Sequence, residues 1–248
     1  MNLKDLRKKT EKPLVCSAVI VAAGSSQRMG SDKLMKKLGA MPVLARTILA
    51  FENCPLIDEI IIVTRNDRLE EIADLCHKNG LHKVRQVVSG GNTRMESALA
   101  GVSATRHGAE YIAIHDGARP LVSGELIERT IRAAKKYRSA VPAIASTDTL
   151  KAVDEKGFVI GTVDREGVKR VQTPQVFEAD LIKGALTKAV TKGLALTDDC
   201  SAMDMMGVKT IVVEGDPANI KITTPDDLVT AEAIVNARGD YHANRVWV

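Results

Sequence analysis

AVIVAAGSSQRMGSDK, residues 18–33, opens with the apolar, β-branched run Val19-Ile20-Val21, which suits a strand buried on both faces of a parallel sheet. The run stops abruptly at Ala22, Ala23, Gly24, Ser25 and Ser26, residues with little side chain. A backbone of this kind can approach a ligand closely and aim several N–H groups at an anion. Arg28 and Lys33 add a planar, bidentate phosphate donor and a point charge. The same residues also suit an ordinary strand-to-helix turn with a solvated basic flank; the two cations favour a polyphosphate site. A Walker A loop does not fit, because Gly30 is followed by Ser31-Asp32-Lys33. Nor does a dinucleotide fingerprint, since no glycine stands two positions after Gly24.

Outward from this stretch the chain repeats a strand and helix rhythm. Glu59-Ile60-Ile61-Ile62-Val63-Thr64 reads as a buried strand and Val84–Val88 as a third strand. Pro42–Phe51 and Leu69–Asn79 have apolar residues at helical spacing, the latter ended by Gly80. A second small, polar loop, Ser89-Gly90-Gly91-Asn92-Thr93-Arg94-Met95-Glu96-Ser97, leads into another helix. Alternation of this kind predicts an α/β fold: a mostly parallel sheet between helical layers, with ligands at the carboxyl ends of the strands. Tyr111-Ile112-Ala113-Ile114-His115-Asp116 would deliver Asp116 to that same edge. A carboxylate beside a triphosphate suits Mg2+, which takes one or two protein carboxylates together with phosphate oxygens. Asp116 is therefore the metal candidate; its other reading is a turn cap paired with Arg119 at the surface. His115 has no second ligand nearby and reads as structural.

Glu125–Tyr137 reads as a helix and Ala140–Ala145 as a strand, whose Pro142 argues for an edge or a bulge. Three short alternating segments follow, Thr149–Val153, Gly157–Ile160 and Val168–Gln172, and read as antiparallel hairpins inserted into the fold. Such an arm cannot bury both faces alone and predicts packing on a second subunit. Asp180–Lys192 returns to helix, Thr197-Asp198-Asp199 caps another, Lys209–Glu214 is a late strand, and Pro225 opens a final helix. The expected organisation is one domain over 14–235, with 147–174 as the arm and flexible ends at 1–13 and 236–248.

The 248 residues carry a net charge of +4 with 45% hydrophobic, 27% charged and 3% aromatic residues. This is an ordinary globular composition without a membrane span. Too few aromatics are present for a nucleic-acid stacking platform, so anionic small molecules are the expected partners. Cys16, Cys54, Cys76 and Cys200 are scattered and read as reduced thiols, which fits a cytoplasmic protein.

Taken together and in this order, AAGSSQRMG, GGNTRMES, HDGARP, DTLK, TVDR, TPQ, TDD and NIKITTPDDL make the chain resemble the 2-C-methyl-D-erythritol 4-phosphate cytidylyltransferases from about Ser17 to Ile234. The resemblance implies a Rossmann-like three-layer nucleotidyltransferase fold, CTP and a sugar-alcohol phosphate as substrates, magnesium, and a homodimer formed through the arm. It implies that Arg28, Lys33, Arg165 and Lys221 are catalytic, and that the small residues Ala22, Ala23, Gly24 and Ser25 cradle the nucleotide. Gly91, Asn92 and Ser97 would hold the cytidine, and Arg119 would lie near the metal at Asp116. Thr149, Arg165 and Thr173 match arm residues that reach the sugar phosphate across the dimer, and Thr197 joins the substrate-binding set. Many relatives place Pro before the loop lysine and Gln after it, whereas Lys33 stands between Asp32 and Leu34. Lys36 and Lys37 are close, yet the register from Lys33 to Gly39 keeps the family pattern. Two other readings remain: a cytidylyltransferase for ribitol 5-phosphate or another sugar phosphate, and a non-catalytic nucleotide-binding protein.

Overall fold

The computed structural model describes residues 15–24 and 32–239. Its strands and helices, in chain order, are β1 (Cys16–Val21), β2 (Lys37–Leu38), β3 (Met41–Pro42), α1 (Val43–Glu52), β4 (Glu59–Thr64), α2 (Leu69–Lys78), β5 (Val84–Ser89), α3 (Arg94–Ser103), β6 (Tyr111–Asp116) and α4 (Gly124–Tyr137). They continue with β7 (Ser139–Ala145), β8 (Lys151–Val153), β9 (Val159–Thr162), β10 (Lys169–Val171), β11 (Gln175–Glu178), α5 (Ala179–Thr191), α6 (Asp199–Asp204), β12 (Ile211–Glu214) and α7 (Pro225–Ala237).

The central sheet runs β10-β7-β11-β6-β1-β4-β5, with β12 beside β7. β6, β1, β4 and β5 are mutually parallel, and β12 is parallel to β7. β10 and β11 run antiparallel to their neighbours. β1, β4 and β6 are buried on both faces, as their apolar, largely β-branched sequences require, whereas β5 at the edge is partly exposed. Ala18, Ile20, Ile60 and Ile62 face a core shared with α1, α2, α4 and α7, while Val19, Ile61, Val63 and Ile114 face one shared with α3, α5 and α6. α3 lies so close to the sheet that a Cβ on Gly101 would stand 2.4 Å from Val19 Cγ1 and 2.5 Å from Val63 Cγ2. Only glycine fits there.

Several sequence expectations need correcting. Pro142 is not at an edge: β12 flanks it on one side, and on the other it faces the point where the chain changes from β10 to β11. A residue without an N–H costs little where the opposing ladder is already interrupted. The third supposed arm segment is β10, which pairs with β7 inside the central sheet, so the arm hairpin itself is β8 with β9. β11, a four-residue strand set directly before α5, was not anticipated. Residues 236 and 237, expected in a loose tail, belong to α7; residues 1–13 and 240–248 lie outside the described residues. Among the described residues no helix is long and apolar enough to cross a membrane, and all four cysteines are free.

Candidate active site

The carboxyl ends of β1, β4, β5 and β6 are laced together by backbone bonds. Ala22 N–H donates to Val63 O (2.7 Å), Gly90 N–H to Thr64 O (2.7 Å) and Gly117 N–H to Val21 O (2.9 Å). At Gly90 the two small-residue loops meet, and a Cβ there would lie 2.6 Å from Ser97 Oγ and 2.8 Å from Ala23 Cβ. Above this junction opens a cavity of about 480 Å³. Ala22, Ala23 and Gly24 form one wall, Gly91, Asn92, Arg94 and Ser97 another, and Asp116 the floor; Lys33 and Lys221 also line it.

The second loop is shaped from within. Thr93 caps α3 in a reciprocal box with Glu96, whose carboxylate also accepts from Asn92 N–H (2.6 Å). Ser97 Oγ accepts from Gly91 N–H (3.2 Å) and donates to Thr93 O (2.9 Å). These two backbone N–H groups are thus satisfied by the protein, and the loop presents side chains and carbonyls to the cavity.

Asp116 is 8% exposed and is ringed by cations. Its Oδ2 lies 2.8 Å from Lys221 Nζ and 3.7 Å from Arg119 Nε, and its Oδ1 lies 3.5 Å from Arg94 NH2. Burial opposes the charge, but Lys221 and Arg94, then Arg119, outweigh it and hold the carboxyl well below the usual range. Arg119 pairs with Asp116 as one of the two readings expected, yet beneath the surface, and its NH1 donates to Asn219 O (2.7 Å). Lys221 is brought to the floor because Ile222, fully buried, donates its N–H to Ala118 O (2.9 Å).

Behind Asp116 runs a chain of hydrogen bonds. Asp116 N–H donates to Thr173 Oγ1 (3.2 Å), Thr173 Oγ1 lies 2.9 Å from His115 Nδ1, and His115 Nε2 lies 3.2 Å from Arg119 O. A carbonyl can only accept, so Nε2 carries the proton, Nδ1 accepts, and the threonine hydroxyl donates to it. The imidazole is fully buried against Phe51 and its pKa is pushed down to about 3, chiefly by burial. It is a neutral strut, as its structural reading required. Asn219 completes the support by donating Nδ2–H to Thr173 O (2.8 Å).

The expected site residues therefore divide. Ala22, Ala23, Gly24, Lys33, Gly91, Asn92, Ser97, Asp116 and Lys221 are brought together round the cavity. Arg119 and Thr173 stand behind it, Thr173 being buried and turned toward His115 rather than open to a ligand in this subunit. Thr149 and Arg165 are exposed on the arm away from the cavity walls. Thr197 is also exposed and does not line the cavity; it stands just before Asp198, which caps α6, and its Oγ1 lies 3.5 Å from Ser201 Oγ. Ser25 and Arg28 lie outside the described residues.

Arg94 was missed. It stands in the second loop, but its role depends on Asp199, which is 105 positions away and 1% exposed. The two make a bidentate pair at 2.9 and 2.8 Å. Both groups are pushed up: burial raises the Asp199 carboxyl against the pull of Arg94, while for Arg94 the lowering by burial is outweighed by Asp199 and Asp116. The bidentate geometry is that of an ionised pair. Asp116 and Asp199 are thus met by Arg94, Arg119 and Lys221, and Lys33 also lines the cavity, a cation-rich setting suited to a polyphosphate.

Comparison with known proteins points the same way. The family described as 2-C-methyl-D-erythritol 4-phosphate cytidylyltransferase matches residues 16–237. A relative of that name from Caldanaerobacter subterraneus is 44% identical over 223 residues, covering 87% of this chain and 96% of the relative. One from Clostridium acetobutylicum is 40% identical, with 88% and 96% covered. Among solved structures, the 4-diphosphocytidyl-2C-methyl-D-erythritol synthase of Anaerococcus prevotii superposes with a TM-score of 0.81 at 34% identity, covering 90% of this chain and 97% of that one. The 2-C-methyl-D-erythritol 4-phosphate cytidylyltransferase of Thermus thermophilus gives 0.72 at 30%, with 88% and 98% covered. A parallel sheet with two small-residue loops at its carboxyl edge, a cation-ringed aspartate beneath them, and a match of this extent together place the chain in the 2-C-methyl-D-erythritol 4-phosphate cytidylyltransferase family.

Proposed function

We propose that this protein transfers the cytidylyl group of CTP to 2-C-methyl-D-erythritol 4-phosphate, releasing pyrophosphate and forming 4-diphosphocytidyl-2-C-methyl-D-erythritol. The observation that carries this reading is the gathering of Lys33, Lys221, Arg94 and Asp116 round one cavity, within a chain that matches the family over residues 16–237. An oxygen of the acceptor phosphate attacks the α-phosphorus of CTP, and the bond from that phosphorus to the bridging oxygen of the leaving pyrophosphate breaks. The substrate brings its own nucleophile, so the protein's work is alignment and relief of charge repulsion. In this reading Lys33 faces the triphosphate, Lys221 steers the incoming phosphate, and the second loop receives the cytidine.

Magnesium fits the donors. Asp116 is the one carboxylate lining the cavity among the described residues, it stays ionised, and Mg2+ asks for one or two carboxylates with phosphate oxygens and water completing the shell. When bound, it would neutralise charge where the two phosphates meet. We further propose a homodimer formed through the arm. Phe158, Val159 and Ile160 are 69%, 62% and 68% exposed on or beside a two-stranded hairpin, more apolar surface than such a ribbon keeps in water. Thr149 and Arg165 would then meet the partner's cavity. Free cysteines suit a reducing cytoplasm, where we propose the enzyme works.

The test is pyrophosphate release by purified protein with CTP and a panel of sugar-alcohol phosphates. Turnover with 2-C-methyl-D-erythritol 4-phosphate well above the rest is expected. Preference for ribitol 5-phosphate would overturn the acceptor, and CTP binding without pyrophosphate release would overturn the enzyme.

A further inference from the structure

Lys33 reaches the cavity from a short stretch held on both sides. On one side Leu34 is buried, with its carbonyl accepting from Leu44 N–H (2.9 Å). On the other, Asp32 accepts from Leu34 N–H through Oδ1 (3.0 Å), closing a tight side-chain turn around Lys33. The Asp32 carboxylate also forms an ion pair with Arg68, whose side chain is only 14% exposed. Arg68 stands between β4 and α2, immediately before the helix, and its guanidinium spans two carboxylates: NH1 faces Asp32, while Nε donates to Glu71 Oε2 (2.8 Å). A planar fork fixed at both ends holds a carboxylate in one place, which a flexible ammonium does not.

We infer that Arg68 is a positioning residue for the reaction: by pinning Asp32 to the start of α2, it sets the direction from which Lys33 enters the cavity. The inference rests on the reading of Lys33 as the cation that faces the triphosphate. Arg68 does not line the cavity, and among the described residues its route to Lys33 runs through Asp32. An exposed ion pair three residues earlier, Arg65 with Asp67, has no such connection.

Steady-state kinetics on a small set of variants tests this. Lys33→Ala comes first, and should lose roughly a hundredfold in kcat, as for one preorganised charge donor. A wild-type kcat in that variant would remove the role of Lys33 itself, and the inference with it. Given that loss, Arg68→Ala should lower kcat by roughly tenfold or more with little change in KM for CTP, since a misplacement of about 1 Å can cost about a hundredfold. Asp32→Asn, which keeps the acceptor for Leu34 N–H and removes only the charge, should lower it by a similar factor, and Arg68→Ala/Asp32→Asn no further. Arg68→Lys should recover part of the rate, and Arg65→Ala should change neither constant. The decisive comparison is Arg68→Ala in the Lys33→Ala background: no additional loss is expected if Arg68 acts through Lys33. An additional loss there equal to that in the wild type, or a silent Asp32→Asn, would show Arg68 to be only a structural anchor of α2 and would overturn the inference.

Discussion

Lys221 Nζ lies 2.8 Å from Asp116 Oδ2, so the carboxylate on the cavity floor and one of its cations meet any ligand already paired. The consequence is a division of labour that mutation can separate. Lys221→Met removes a cation that is 38% exposed, while Arg94 and Arg119 still compensate Asp116. Folding should be nearly unaffected, and kcat should fall by roughly a hundredfold or more, the range for loss of one preorganised donor. Thermal unfolding and initial rates measured on one preparation decide it; a collapse in melting temperature with an unchanged rate per folded molecule would assign Lys221 to the fold.

Thr173→Val tests the strut behind the carboxylate. The substitution keeps the shape but leaves Asp116 N–H and His115 Nδ1 without their partner, both in a buried setting. A loss of about 1–3 kcal/mol is expected from denaturant unfolding, together with a lower kcat as Asp116 loses its fixed position. An unchanged stability would mean that the site relaxes and the hydrogen-bond chain carries no strain-bearing role.

His115 gives a pH dependence of known sign. Its folded pKa, about 3, lies below the ordinary 6.5, so the unfolded chain takes up a proton in this interval that the folded protein refuses. Stability is therefore complete above pH 6.5 and declines on acidification, with a slope approaching about 1.4 kcal/mol per pH unit. Measured between pH 6.5 and 5, above the ordinary carboxylate range, the slope should appear in the wild type and diminish in His115→Gln. An equal slope in both would exclude His115 as its source.

Mixing Arg165→Ala with Lys33→Ala protein tests the shared site. If the arm completes the neighbour's cavity, heterodimers contain one site with both residues intact, and activity should rise well above either parent. Subunit exchange, followed by mass spectrometry, without recovery of activity would refute the arrangement while leaving the cytidylyltransferase reading in place.

Much of this was legible in the sequence because the strands that matter are continuous β-branched runs: Glu59-Ile60-Ile61-Ile62-Val63-Thr64 is β4 from end to end. The small-residue loops pointed to the cavity because the cations beside the first of them favoured a phosphate site over an ordinary strand-to-helix turn. What escaped depends on distant partners. Lys169-Arg170-Val171 reads as a solvated hairpin until Ala143, Ile144 and Ala145 are set beside it, and Gln175–Glu178 is too short to show a period. Arg94 gains its meaning from Asp199, and Arg68 from Asp32; no local pattern marks either pair.

Ala145 and Lys169 are direct neighbours across an antiparallel ladder. To the sheet, everything between them is a single long turn, closed at its base by the pairing of β7 with β10. A segment attached in this way answers to different constraints from the domain that carries it. Its length and its apolar tip can change without asking the strands that wall the nucleotide cavity to rearrange. The chain is in this sense one fold carrying a single long excursion hung from the pairing of β7 with β10.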